Sequence, residues 1–280
     1  MRRYVIIEHG NFLPQREQMK DIFIQIWRFR AFIAGSVLTG FRVKFARSRL
    51  GGLWGVISPL CQSAVYALVL SSVLSPRTSS ADVSYAAYLL AGTLGWAFFS
   101  DIIQGCVNVF TDNANIIKKV SFPSAVLPVA AAGTAMINAL LLLISVAVVF
   151  VFTGQKVTAY ALWLPVLYGC ALVFGLGLGF LLGILNVFVR DVKHMMQVVL
   201  QFWFWLTPVV YMAEIIPAGY RHFLKLNPLY PVVTGFQDAL VFGRQPAIFP
   251  LVIVLAAGAA LIILSLSLYR RAAGEMADVL

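Results

Sequence analysis

Charged side chains are scarce in this sequence. Asp, Glu, Lys and Arg make up 11% of its 280 residues, whereas 61% are hydrophobic. A typical soluble domain has about 25% charged residues, so this composition excludes an ordinary water-soluble protein. Most of the apolar excess must therefore face something other than water.

The chain also lacks the short motifs that bind nucleotides and metals. It contains no Gly-Lys dipeptide, which excludes a G-x-x-x-x-G-K-[ST] phosphate loop, and no H-E-x-x-H metal helix. Its three histidines, His9, His194 and His222, form no recognisable triad with a carboxylate and a nucleophile. We therefore assign no catalytic residue, no metal site and no cofactor to this chain.

Cysteine is rare as well. Cys61, Cys106 and Cys170 each lie within a long apolar run, with no C-x-x-C spacing and no histidine-rich neighbourhood. We expect all three to pack as small hydrophobic side chains, without a disulfide or a metal.

Long uncharged runs take the place of these motifs. An apolar helix needs roughly 20 residues to cross a hydrocarbon core about 30 Å thick. Six runs reach this length, and the sequence predicts an all-α integral membrane protein with six transmembrane helices. These runs cover 50–76, 83–111 (interrupted by Asp101), 120–155, 157–189, 194–213 and 245–269.

The distribution of Lys and Arg predicts the orientation. Of the 21 basic residues, 16 fall on the side of the two termini, and ten of these precede residue 50. Basic residues remain where no translocation occurs, so both termini are predicted to be cytoplasmic. The net charge of +10 then favours contact with anionic membrane lipid and no nucleic acid. We treat 1–280 as one domain, with a cytoplasmic N-terminal region (1–49), a membrane region (50–269) and a cytoplasmic tail (270–280).

The N-terminal region contains an amphipathic segment over residues 16–33. Met19, Ile22 and Phe23 share one side at helical spacing, whereas Asp21 and Arg28 lie on the other. The sequence predicts an N-terminal amphipathic interfacial helix on the membrane surface. A soluble helix that packs on a partner subunit is the alternative.

Three further features concern packing within the membrane region. The third and fourth runs are joined by a short connection near Gly154, which predicts a tight outward-facing hairpin. Glycines at 175, 179 and 183 leave one helix face free of bulk, which predicts close helix packing. The uncharged stretch 226–237 is too short to cross, which predicts re-entrant or interfacial outer helices between spans 5 and 6. Its Asn227-Pro228 turn suggests a cavity or pore mouth.

Asp101 is the one acid inside a predicted span. Such a group is costly in lipid, so we expect it to face Gln104, Asn108 or a neighbouring helix. A role in proton coupling has less support, because no partnering basic residue or second acid is visible within the spans.

Two stripes of amide and aromatic side chains follow helical spacing. Amides bind hydroxyl-rich ligands and aromatic rings stack on sugar rings, although helix packing would explain an isolated Gln equally well. We interpret both stripes as candidate walls of a translocation path. They comprise Ser58, Gln62 and Tyr66 in the first span, and Gln197, Gln201, Phe204, Pro208 and Tyr211 in the fifth.

The stretch RSRLGGLWGVISPL contains Gly51, Gly52 and Trp54. It resembles the start of the first span in the permease subunits of polysaccharide-exporting ABC transporters. The stretch NVFVRDVKHMMQVVLQFWFWLTPVVY is similar to that family's loop with Arg190 and Asp191 and the short span that follows. LNPLYPVVTGFQDAL is similar to its Asn-Pro segment. Physically, the glycines permit a sharp entry into the membrane and Trp54 anchors at the interface.

This resemblance implies an exporter in the bacterial cytoplasmic (inner) membrane. It would contain two copies of this chain and two separate ATPase subunits, which bind ATP and magnesium. The implied cargo is a lipid-linked polysaccharide such as O antigen, capsule or teichoic acid. The candidate path then includes Trp54, Gln62, Tyr66, Gln201, Phe204 and Tyr211.

The resemblance also implies that the connection TDNANIIKKVSFP docks on the ATPase as a coupling helix. Asp112 or Asn113 could cap a short helix that carries Asn115, Lys118 and Lys119. Charges that only fix the topology are the alternative.

Two other functions compete with polysaccharide export. The same type of membrane domain could export a drug or small lipid. A membrane-integral transferase acting on a glycan or lipid is a third hypothesis, and it would require a catalytic carboxylate or histidine at the interface.

Overall fold

The computed structural model describes residues 27–45, 54, 57–58, 60–61, 85–119 and 123–280. Most of the predicted amphipathic segment and of the first span (50–76) lies outside these residues, together with four of the predicted site residues. Those four are Gly51, Gly52, Gln62 and Tyr66. Trp54 is described, and its side chain is exposed.

All described secondary structure is helical. A 3₁₀ helix (Ala159–Trp163) precedes the fifth α-helix, and a π-helical turn (Asp238–Phe242) follows the eighth. In chain order the α-helices are α1 (Arg30–Phe45), α2 (Tyr85–Asp112), α3 (Ala114–Lys119), α4 (Val126–Thr153), α5 (Leu164–Phe188), α6 (Asp191–Leu206), α7 (Arg221–Leu224), α8 (Tyr230–Gln237) and α9 (Ile248–Val279).

Four of these helices are long and apolar enough to cross a membrane. They are α2, α4, α5 with its preceding 3₁₀ helix, and α9. Helices thus form where the sequence predicts spans at 83–111, 120–155, 157–189 and 245–269. Helix α9 continues through most of the tail assigned to 270–280. The count of six spans stays a prediction.

The predicted close packing of the α5 glycines is confirmed. Helix α5 lies between α2 and α9, and α4 packs on α2. A Cβ atom on Gly179 would lie 2.8 Å from the Cβ of Cys106, and one on Gly183 would lie 2.5 Å from the Cys106 carbonyl oxygen. Gly177 lies on the opposite face of α5, where a Cβ would lie 2.7 Å from the Gly258 carbonyl oxygen of α9. Glycines therefore permit close backbone approach on both sides of α5.

Asp101 bonds to a neighbouring helix. The Asn138 amide on α4 donates to Asp101 Oδ2 on α2 at 3.0 Å, which confirms that Asp101 faces a neighbouring helix. Cys106 and Cys170 are free and buried, as expected for small hydrophobic side chains. Cys61 differs from that expectation, because it is exposed.

The connection between α4 and α5 is the predicted tight hairpin. Gly154 ends α4 with φ of +69°, a left-handed conformation that favours glycine. The Gln155 amide then donates to the Phe150 carbonyl oxygen at 3.0 Å, which closes the helix end before the 3₁₀ helix begins.

The predicted fifth span (194–213) is not one continuous helix. Helix α6 has 16 residues, or about 24 Å at 1.5 Å per residue, and ends at Leu206. Thr207 has extended backbone angles (φ −105°, ψ 132°), as expected for a residue before proline. The chain therefore changes direction at Thr207-Pro208, before the predicted end of the span.

The segment after α6 returns into the protein. Helix α8 packs on α2 and α5, and Val232, Val233 and Phe236 are fully buried. Helix α1 packs on α4 at the other edge of the bundle, where a Cβ on Gly133 would lie 2.8 Å from Val37.

Candidate functional site

Helix α6 carries the second predicted stripe, but the stripe is shorter than its sequence spacing indicated. Gln197 and Gln201 are exposed, whereas Phe204 is half-buried, with its ring centroid 5.6 Å from that of Trp96. Since α6 ends at Leu206, Pro208 and Tyr211 do not continue this face. The prediction of one helical face through Tyr211 is therefore wrong, and the face that remains is Gln197, Gln201 and Phe204.

A second polar ladder lies on α2, beside this face. Ser100, Gln104 and Asn108 follow Trp96 at intervals of four residues, and Trp96 contacts Phe204 of α6. Gln104 Nε2 donates to Ser100 Oγ at 2.9 Å, and Asn108 Nδ2 donates to the Gln104 carbonyl oxygen at 2.9 Å. Gln104 is exposed, and Asn108 Oδ1 is buried with no hydrogen-bond partner among the described residues. This ladder was not predicted from the sequence, although the i, i+4, i+8 spacing of its residues indicates one helical face.

The turn after α6 is held by hydrogen bonds from two helices. From α2, the Tyr85 hydroxyl donates to the Val210 carbonyl oxygen at 2.6 Å, and the Tyr88 hydroxyl to that of Tyr211 at 2.9 Å. From α8, Gln237 Nε2 donates to the Pro208 carbonyl oxygen at 3.0 Å. The half-buried Tyr211 thus belongs to a fixed turn.

Asn227 joins α6 to the segment that leads into α8. Its Oδ1 accepts from Trp203 Nε1 at 2.9 Å, and its Nδ2 donates to Thr207 Oγ1 at 2.8 Å. The sequence predicts a cavity or pore mouth at the Asn227-Pro228 turn. The structure places Asn227 and Pro228 in the lining of a cavity of about 670 Å³.

At the other end of the bundle, the predicted short helix is present as α3, and its coupling role stays a prediction. Asn115 and Lys118 are exposed, and Lys119 is the last residue of the helix. The Asn113 carbonyl oxygen accepts from the amides of Ile116 and Ile117, each at 3.0 Å. The Asn113 side-chain Nδ2 donates back to the Val109 carbonyl oxygen at 2.8 Å, and a cap by Asp112 or Asn113 stays a prediction.

Arg190 and Asp191 form the turn between α5 and α6, and both are exposed. The buried Asn186 fixes this turn: its Nδ2 donates to the Val107 carbonyl oxygen of α2, and its Oδ1 accepts from the Lys193 amide, each at 3.0 Å. A polar cavity of about 380 Å³ lies beside the turn, lined in part by Arg190 and His194. Asn186 therefore positions the turn, a role that was not predicted from the sequence.

Sequence comparison identifies the family. Residues 33–241 match the family described as ABC-2 type transporter, which covers most of the chain from α1 through α8. The chain belongs to the ABC-2 type transporter family. The match includes the α6 face, the α2 ladder, the turn after α6 and α3, so these features lie within the family's membrane domain.

Relatives of this ABC-2 type transporter chain include named export proteins. An O-antigen export system permease protein RfbA of Myxococcus xanthus is 27% identical over 256 residues, covering 91% of this chain and 97% of the relative. A protein of the same name from Klebsiella pneumoniae is 26% identical, covering 85% and 91%. The polysialic acid transport protein KpsM of Escherichia coli is 23% identical, covering 74% and 80%.

Proposed function

We propose that this chain is the permease subunit of an ATP-driven exporter that moves a lipid-linked polysaccharide across the bacterial cytoplasmic membrane. The supporting observation is the match to the ABC-2 type transporter family over residues 33–241. Relatives named for O-antigen export and polysialic acid transport favour a polysaccharide cargo. In this proposal the chain is not an enzyme, and separate ATPase subunits bind ATP and magnesium.

The proposed exporter contains two copies of the chain and two ATPase subunits, with six spans per chain and both termini in the cytoplasm. The exposed face of α6 is the proposed contact with the second copy and with the cargo. A buried amide without a partner costs about 1–3 kcal/mol, so Gln201 and Gln104 are unfavourable against lipid. A path between two copies that holds water or glycan would provide hydrogen-bond partners for both amides. Trp54, Gln62 and Tyr66 stay predictions for the same path.

The hydrogen-bonding groups suit a glycan better than a purely apolar cargo. The amides of Gln201 and Gln104 can exchange hydrogen bonds with successive hydroxyl groups, while Trp205, which is 54% exposed, offers a ring face for stacking. The α6 face and the α2 ladder would therefore form one wall. The fixed turn after α6 and the buried α8 would close its outer end.

The proposed coupling runs through α3. This helix directly follows α2 and also contacts α9, so displacement of α3 would act on two membrane helices. Exposed Asn115 and Lys118 provide a polar contact for an ATPase surface, and Lys119 is the third predicted contact. Arg190 and Asp191 lie in the turn that Asn186 ties to α2, so this turn would move with α2.

The function is tested in cells that lack the chain. We expect the lipid-linked polymer to remain on the cytoplasmic side, and the wild-type chain to restore surface polymer. Restored export of a drug or small lipid without any polymer would contradict the proposal. Conversion of a glycan or lipid by the purified chain alone would favour the transferase hypothesis instead.

Lys118→Glu tests the coupling helix in the same cells. Reversal of an exposed charge at a partner surface weakens steering and creates like-charge or mismatched contacts. We expect reduced co-purification of the ATPase and several-fold less surface polymer. Lys156→Glu, an exposed change in the α4–α5 hairpin, is the matched control. Equal ATPase recovery and equal export for Lys118→Glu and wild type would leave this lysine as a topology determinant only.

A further inference from the structure

An amphipathic cavity of about 670 Å³ lies between α8 and α9. Its volume falls within the range of about 300–1,000 Å³ that small-molecule sites occupy. One wall is the α9 surface from Phe249 to Ala257, and the opposite wall comes from α8, including Thr234. Phe249 is 77% exposed and Ile253 is 54% exposed, so the apolar wall is open at the surface of the described chain, where α9 as a membrane span would meet lipid.

The depth of this wall corresponds to one leaflet. Phe249 and Ala257 are eight residues apart on α9, a rise of about 12 Å. Half of a hydrocarbon core about 30 Å thick is about 15 Å. The cavity therefore follows α9 from the predicted outer edge of the membrane toward the midplane, as an acyl chain would.

Beyond the apolar α9 wall, the cavity lining is polar and positively charged. It is lined by Lys225, Asn227, Asp238 and Arg244. The guanidinium of Arg244 forms an ion pair with Asp238 Oδ1 at 2.7 Å, which neutralises both charges. Lys225 is exposed and forms no ion pair within the described part of the chain, so one positive charge remains at the mouth.

We propose that this cavity binds one anionic phospholipid of the outer leaflet. Its phosphate lies at Lys225, and an acyl chain lies along α9 between Ile253 and Ala257. Such a lipid fills the space between α8 and α9 and holds the re-entrant segment against the bundle. The cavity lining contains no residue of the α6 face, of the α2 ladder or of α3.

The test uses the full chain purified with its ATPase partner, and native mass spectrometry to count bound phosphatidylglycerol and phosphatidylcholine. A lysine near a lipid surface is worth about 1 kcal/mol, so Lys225→Gln should weaken phosphatidylglycerol binding about fivefold and leave phosphatidylcholine unchanged. Ala257→Phe should weaken binding of both lipids at least tenfold, because the ring fills the apolar end. Lys225→Gln changes only an exposed side chain, so the test does not depend on the folding of Ala257→Phe.

Two substitutions outside the cavity are matched controls. Lys156→Gln removes another exposed cation from the predicted outer side, and Val252→Phe adds the same ring to an exposed α9 position. Both should bind lipid as wild type does. Equal phosphatidylglycerol binding by Lys225→Gln and wild type would overturn the proposal, as would displacement of the lipid by an equal concentration of soluble glycerol phosphate. Neither outcome involves polysaccharide, so the proposed export function would stand or fall separately.

Discussion

Gly183→Val should remove nearly all correctly folded protein from the membrane. A Cβ at this position would lie 2.5 Å from the carbonyl oxygen of Cys106, a backbone atom of α2 that cannot move aside as a flexible side chain could. Overpacking of a dense interior typically costs about 1–3 kcal/mol, and backbone collision is the severe case. The two helices would have to separate along the face that also includes Gly175 and Gly179.

The same helix offers a control for this prediction. A Cβ on Gly169 would meet no atom of the described residues within 4 Å, so Gly169→Val adds the same side chain without a clash there. The measurement is the monodisperse fraction after detergent extraction, together with the melting temperature of that fraction. We expect Gly169→Val to resemble wild type and Gly183→Ala to be intermediate. Equal yields for the two valine variants would contradict the close packing of α2 on α5.

Gln201→Leu should reduce polysaccharide export about tenfold while the complex with the ATPase still assembles. The side chain is exposed on α6, so leucine removes hydrogen-bonding capacity without breaking a hydrogen bond to any described residue. A tenfold change corresponds to about 1.4 kcal/mol, comparable to one or two net hydrogen bonds to a passing glycan. Gln104→Leu on the adjacent α2 ladder should act in the same direction.

Val199→Leu is the control for the path. Val199 is 38% exposed on a different face of α6, where a larger apolar side chain can face lipid. Surface polymer is compared at equal protein level and equal ATPase recovery. Phe204→Ala is a less specific probe, because Phe204 packs on Trp96 and its loss would also weaken the α2–α6 contact. If Val199→Leu lowered export as much as Gln201→Leu, the assignment of the amide face to the cargo would be wrong.

The sequence predicted best those features that depend on local composition. Uncharged runs located the helices α2, α4, α5 and α9, because length and hydropathy suffice for a membrane span. The α5 glycines predicted close packing, because glycine spacing directly determines where one helix face lacks side chains. The short helix α3 was implied by the family resemblance, and a possible cap at Asp112 or Asn113 and the following Pro123 were consistent with it.

The segment from α6 to α8 could be predicted less well from the sequence. The run 194–213 contains no charge, so composition alone could not show that α6 ends at Leu206. Pro208 was the usable signal, since the residue before proline disfavours helical backbone. The bond from Gln237 to the Pro208 carbonyl oxygen joins residues 29 positions apart, and no periodicity encodes such a contact. Likewise, helical spacing predicts one stripe from Gln197 to Tyr211, because spacing alone does not show where a helix ends.

The most direct test of the proposed function is polysaccharide translocation by the purified complex in sealed vesicles. The chain is reconstituted with its ATPase subunits, and a lipid-linked polysaccharide is supplied on the ATPase side. A glycan-degrading enzyme on the opposite side reports arrival of the polymer. We expect cleavage to require both proteins and hydrolysable ATP, and to fall about tenfold with Gln201→Leu. Polymer that stays protected despite ATP hydrolysis, while a drug or small lipid crosses the same vesicles, would contradict polysaccharide export.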